Sequence, residues 1–170
     1  MAIWILKLMQ LLMPRAPYMD TYAATAAAID KVAHEAPLYE GEDAVVETAV
    51  DLVALSYYES RFDPKAVDKK KTSYGLTQID GSNLKRLGIA KKEQLFDPET
   101  NLRAALTLMR ISYRLCRYRP REERLANYAS GGPTCSVPEG LIESRRRLKL
   151  AAALLRKHPV KWTEGPSLSL

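Results

Sequence analysis

Glu59 is the residue whose type and setting best fit a chemical task. An apolar run (Ala44–Val46, Ala49–Val50, Leu52–Leu55) reaches it with helical spacing. Asp63-Pro64 then stops the helix, because the residue before a proline avoids helical geometry. A polar loop with Lys65, Lys69, Lys70 and Lys71 follows, and order resumes at Ser73-Tyr74-Gly75-Leu76-Thr77-Gln78-Ile79-Asp80. Burial at the end of an apolar helix disfavours the charged form of a carboxyl, and so does the negative end of the helix dipole. A carboxyl that keeps its proton near neutral pH can give it to a leaving oxygen. Arg61 and the lysines oppose this wherever they point inward. The competing reading of Glu59 is a carboxylate on a solvated helix end.

The elements that must position Glu59 are helical. Residues 19–35 are alanine-rich, with Asp20 or Thr21 as cap, and residues 42–60 form the next helix, buried on most sides. Residues 82–88 make a short helix stopped by Gly88. Asp97-Pro98 opens the clearest helix of the chain, with Asp as cap and Pro in the first turn. Its Leu102, Ala105, Leu106, Met109, Tyr113 and Cys116 fall on one stripe. A helix over 121–129 runs into the breaker Gly131-Gly132-Pro133. Ser136-x-x-Glu139 forms a capping box for a last helix that reaches about Lys157. No long alternation of apolar and polar residues is present apart from a tiny hairpin between Val67 and Gln78. The class is mainly α.

The 170 residues, 46% hydrophobic and 27% charged, bound a single domain with one core. A net charge of +6 and a pI near 9.3 fit an anionic partner, whether nucleic acid, a phosphate-bearing surface or a wall polymer. Residues 1–13 are apolar but interrupted by Lys7 and Gln10, and fall short of the roughly 20 residues of a membrane span. They lack the basic leader and small-residue cleavage site of a convincing signal peptide. A helix packed on the domain or on a partner is the alternative, and membrane contact through this segment stays open. The expected organisation is an apolar segment over 1–16, a domain over 17–158 and a frayed tail over 159–170. Cys116 and Cys135 are too few for a disulfide scaffold and too far apart for a zinc knuckle. His34 and His158 read as solvated, and no metal or organic cofactor is implied.

Glu59-Ser60, Gly75-Leu76-Thr77-Gln78-Ile79, Asp97 to Leu102, and Asn127-Tyr128-Ala129-Ser130-Gly131 together resemble the lytic transglycosylase (SLT) and goose-type lysozyme group. The resemblance covers roughly residues 45–135. It departs from the family pattern at Thr77, where methionine is usual, and at Tyr128-Ala129-Ser130-Gly131, where Tyr-Asn-Ala-Gly is usual. It implies a lysozyme-like helical domain with at most a small β-hairpin, acting on the MurNAc–GlcNAc β-1,4 bond of peptidoglycan glycan strands. Glu59 would be the acid. Lytic transglycosylases manage with one carboxyl, which then acts as base while the muramic C6 hydroxyl closes a 1,6-anhydro ring. Goose-type lysozymes carry aspartates around the glycine turn, and Asp80 matches one such position. An inverting hydrolase needs that base roughly 6.5–9.5 Å from the acid. Asp80 reads equally as a helix cap before Gly81-Ser82, and Asp68 as a solvated loop residue. Gln78, Tyr128, Ser73 and Tyr74 are the expected substrate contacts, with Asn101 structural and Ser60 bonded to backbone.

Cys116 is either simply buried or bonded to Cys135, and a disulfide would indicate an oxidising compartment. The expected location is the periplasm or cell wall, the extracellular space, or a phage particle, where phage tail or secretion-apparatus proteins are further partners. Two non-enzymatic readings stand beside this one. The first is a wall-binding or phage tail component without activity. The second is a basic helical nucleic-acid binder using the arginines from Arg103 to Arg124 and Arg145-Arg146-Arg147-Leu148-Lys149, with Tyr113 and Tyr118 between them. Against the second, no nucleic-acid-binding motif is present, and a basic run on a helix is more often a solvated face.

Overall fold

The computed structural model describes residues 1–131 and 134–160. Among them lie seven α-helices: α1 (Ala2–Leu12), α2 (Tyr22–Glu35), α3 (Ala44–Ser60), α4 (Leu84–Leu87), α5 (Pro98–Leu115), α6 (Ala126–Ser130) and α7 (Pro138–Lys157). Strands β1 (Ser73–Tyr74) and β2 (Ile79–Asp80) pair antiparallel, Ser73 opposite Asp80 and Tyr74 opposite Ile79. Val67 adds a single bridge to Tyr74. The class is mainly α, and the hairpin closes at Asp80, slightly beyond the expected Gln78.

Helix α3 is the axis, packed against α7, α2 and α1. Ala49, Val50 and Leu52 to Leu55 are all fully buried, as a helix apolar on most sides must be. Helix α1 places Ile5, Leu8 and Met9 in the same core, at the i, i+3, i+4 spacing of one face. Lys7 and Gln10, which interrupt its apolar run, are exposed. No helix among the described residues is long and apolar enough to cross a membrane.

Helix starts differ from expectation, by two residues at α3 and α4 and more instructively elsewhere. A 3-10 turn over Met19–Thr21 precedes α2, and the Thr21 hydroxyl donates to the Tyr18 carbonyl at 2.8 Å, so neither it nor Asp20 caps the helix with its side chain. The expected helix over 121–129 is two pieces, a 3-10 turn at Arg121–Glu123 and then α6, ended by Gly131 at φ 62°. Helix α7 begins at Pro138, which suits the first helical position because its missing N–H would have no partner there. Val137 takes the cap position without a side-chain bond, and Ser136 instead accepts from Arg119 Nη2 at 2.9 Å. Gly132 and Pro133 of the expected breaker lie outside the described residues, as does the tail from 161 on. At α5 the expectation holds: Asp97 Oδ2 accepts the Thr100 N–H at 2.8 Å, and Leu102, Ala105, Leu106 and Met109 are buried. Cys116, just past α5, is disulfide-bonded to Cys135, with 5.6 Å between the Cα atoms.

Candidate active site

Glu59 lies in the last turn of α3, and the exit of that helix fixes its surroundings. Arg61 and Phe62 both wind left-handed (φ 59° and 69°), and their amides return to the carbonyls of Tyr57 and Ser56 at 3.2 and 3.3 Å. This turns Phe62 fully into the core beside Tyr22 and Tyr57. It also lays the Arg61 guanidinium 4.3 Å over the Tyr57 ring. Ser60 ties the helix end to the glycine turn, its hydroxyl donating to the Leu76 carbonyl at 2.7 Å.

That turn is held from α5. Asn101 is completely buried and makes four hydrogen bonds. Its Oδ1 accepts from the Thr77 amide at 2.9 Å and the Thr77 hydroxyl at 2.6 Å, while Nδ2 donates to the carbonyls of Tyr74 and Leu95, both at 2.9 Å. Gly75, at φ 75°, lets the turn pack directly against Leu95 and Asn101: a Cβ there would sit 2.1 Å from the Leu95 carbonyl oxygen. Gln78 also has a left-handed backbone (φ 48°), and its Nε2 donates to the carbonyls of Gly75 (3.0 Å) and Ala66 (3.2 Å). From α6, the Tyr128 hydroxyl donates to the Thr77 carbonyl at 3.0 Å, and burial with the nearby Glu59 charge raises its pKa.

These elements border a cleft of about 370 Å³ lined by Glu59, Asp68, Ser73, Gln78, Asp80, Tyr128 and Arg147, among others. A second groove of about 650 Å³ shares Asp80, Asn83, Leu108 and Tyr128 with it and runs on past Arg86. The Glu59 side chain is 19% exposed, and burial pushes its pKa above the ordinary carboxylate value. Arg147 Nη2, 2.7 Å from Glu59 Oε1, opposes that rise, and Glu143 adds to it.

Of the expected site residues, Glu59, Asp80, Gln78, Tyr128 and Ser73 all reach this cleft. Tyr74 does not. Neighbouring residues of a strand face opposite ways, so with Ser73 toward the cleft Tyr74 enters the core, its ring against Phe96 and its hydroxyl donating to the Lys71 carbonyl. Asp80 Oδ1 accepts the Ser82 amide at 2.8 Å, so it caps the 3-10 turn Gly81–Asn83 while also bordering the cleft. Asp68 accepts the amides of Ser73, Thr72 and Lys70 at 2.8, 2.6 and 3.1 Å, which hold its carboxyl below the usual range.

Arg147 is the site residue missed in the sequence. The run Arg145-Arg146-Arg147 reads as a solvated face, yet the structure splits it: Arg145 pairs with Glu123, Arg146 lies over Tyr58, and Arg147 is 6% exposed. The signal was its register, since Ser144, Arg147, Leu148, Ala151 and Leu154 make one buried helical stripe. Other arginines of the expected polymer-binding set are also engaged internally, Arg103 by Glu35 and Glu99, Arg110 by the Ala36 and Pro37 carbonyls, and Arg121 by Glu47.

The site is a helical domain's polar cleft holding one carboxyl, Glu59, whose pKa burial raises. A family model described as the transglycosylase SLT domain matches residues 44–137, more than half of the chain. The chain belongs to that family, which carries with it a peptidoglycan substrate and a function of the lytic transglycosylase type. No curated protein and no solved structure matches it.

Proposed function

We propose that the protein cleaves the MurNAc–GlcNAc β-1,4 bond by lytic transglycosylation, with Glu59 as the single acid and base. Glu59 protonates the bridging oxygen as the C1–O bond breaks. The resulting carboxylate then takes the proton of the muramic C6 hydroxyl as O6 bonds to C1, which returns the proton to Glu59 and leaves a 1,6-anhydro end. The observation that carries this reading is the division of labour among the cleft's carboxyls. Burial lifts Glu59 toward the protonated state, whereas Asp68 is held ionised by three backbone amides and Asp80 accepts the Ser82 amide. Gln78 and Ser73 stand where they would meet the sugar, and Tyr128 closes the wall beside the acid.

A hydrolytic reaction is the second reading, because Asp80 borders the same cleft as Glu59 and would there hold a water. Mass spectrometry of muropeptides released from purified sacculi separates the two. Anhydro ends that persist in Asp80→Asn support transglycosylation; reducing ends lost in that variant support hydrolysis. Glu59→Gln, which keeps the shape but not the proton, is expected to abolish release of either product, and undiminished release would sink the assignment of the acid. The Cys116–Cys135 disulfide supports a place in an oxidising compartment such as the periplasm or the extracellular space.

A further inference from the structure

Arg147 belongs to α7, beyond the stretch that matches the family model. Its Nη2 touches Glu59 Oε1 at 2.7 Å and lies 3.9 Å from Glu143 Oε2. Its Nε and Nη1 are buried with no hydrogen-bond partner among the described residues. A guanidinium has five donors, and leaving buried donors unmade costs free energy, so a pair of this kind is a poor device for stability. Hydrophobic residues of similar volume often hold two helices together as well. The placement needs another reason.

We propose that Arg147 is a positioning residue for the reaction: it holds the Oε1 side of Glu59 against α7 and compensates the negative charge left on that carboxyl once its proton has gone to the glycosidic oxygen. The charge on Glu59 is largest between the two proton transfers, so a fixed cation at 2.7 Å stabilises that stage more than the starting acid. Among the described residues lining the 370 Å³ cleft, Arg147 is the one cation, facing Glu59 from α3, Asp68 from the loop and Asp80 from β2. Glu143 and Arg146 share its helix and Tyr128 approaches from α6.

The proposal rests on Glu59 being the acid, and the test keeps the two apart. Arg147→Met, Arg147→Lys and Glu143→Gln are assayed for turnover of sacculi across pH, and Glu59 is titrated by carboxyl ¹³C NMR without substrate. In Arg147→Met the Glu59 midpoint and the alkaline edge of activity should both rise by about one to three pH units, while the plateau rate at lower pH falls about tenfold or more. Arg147→Lys should recover most of the edge and part of the plateau. Glu143→Gln, which leaves the pair in place, should move the edge the other way by a smaller amount, a result that damage to the fold would not mimic. If Arg147→Met does not fold, Arg147→Gln takes its place with the same expected direction. An edge and a Glu59 midpoint that stay at the parent value in the folded variant lacking the cation overturn the proposal. Activity surviving in Glu59→Gln overturns the assignment of the acid instead.

Discussion

Replacing Asn101 by alanine tests how the cleft is held open. The substitution removes all four of its hydrogen bonds at once and leaves the Thr77 amide and the Tyr74 and Leu95 carbonyls without the partner they have in the fold. A buried polar group left unmade costs about 1–3 kcal/mol, so three groups at the low end of that range give about 3 kcal/mol. In a domain of this size that corresponds to a fall in Tm of roughly 6–12 °C. Urea and thermal denaturation followed by circular dichroism measure it, and hydrogen exchange should show the Thr77 amide losing protection. Asn101→Asp sharpens the reasoning. Its carboxylate would face two carbonyls, so the folded state keeps a proton that the unfolded chain releases above the ordinary aspartate pKa, and stability should fall as pH rises. A loss below about 1 kcal/mol in Asn101→Ala, or no pH dependence in Asn101→Asp, would refute the account of this residue as the clasp of the glycine turn.

Gly75→Ala combines left-handed strain with a Cβ 2.1 Å from the Leu95 oxygen, so thermal melts should show a loss of at least about 2 kcal/mol. Gly88→Ala, at φ 68° with nothing within 4 Å, should show only the backbone cost of about 1–2 kcal/mol. Asp51 is buried, accepts from Tyr39, and is pushed up to about 7 by desolvation. Its folded pKa exceeds the unfolded one, so stability contributed by the protonated form is full below about pH 4 and is lost progressively as pH rises through about 7. Urea midpoints across that range should fall in the parent and flatten in Asp51→Asn; equal slopes would count against the burial argument. Removing the disulfide, which spans 19 residues, by Cys116→Ser with Cys135→Ser should lower unfolding free energy by about 3 kcal/mol, read from denaturation with and without reductant.

The parts of the molecule legible in the sequence are those governed by local rules. Asp97-Pro98 announced α5 because a cap and a first-turn proline act within one helical turn, and the stripe from Leu102 to Met109 followed from helical spacing alone. Glu59 could be singled out because burial, helix end and glycine turn all lie within about twenty residues of it. Ser136 misled because a serine three residues before a glutamate satisfies the capping pattern, while Pro138 fixed the start of α7 elsewhere. Tyr74 misled because the alternation of a two-residue strand cannot be phased from so short a stretch. Arg147 and the cluster of Tyr39, Asp51 and Tyr113 were invisible for a different reason. The Tyr39 hydroxyl meets Tyr113 at 2.6 Å across 74 residues of chain, and only tertiary packing brings such groups together.

The order in which the chain is made gives the position of α7 a further consequence. Glu59 is synthesised 88 residues before Arg147, and the α3 face that α7 covers stays open to water until the last helix is available. Contacts so distant in sequence form late, after the entropy of closing a long loop has been overcome. A chain still lacking α7 therefore carries Glu59 without the Arg147 contact and without Glu143 beside it. The surroundings of this carboxyl are thus completed last, by docking of the helix that is made last.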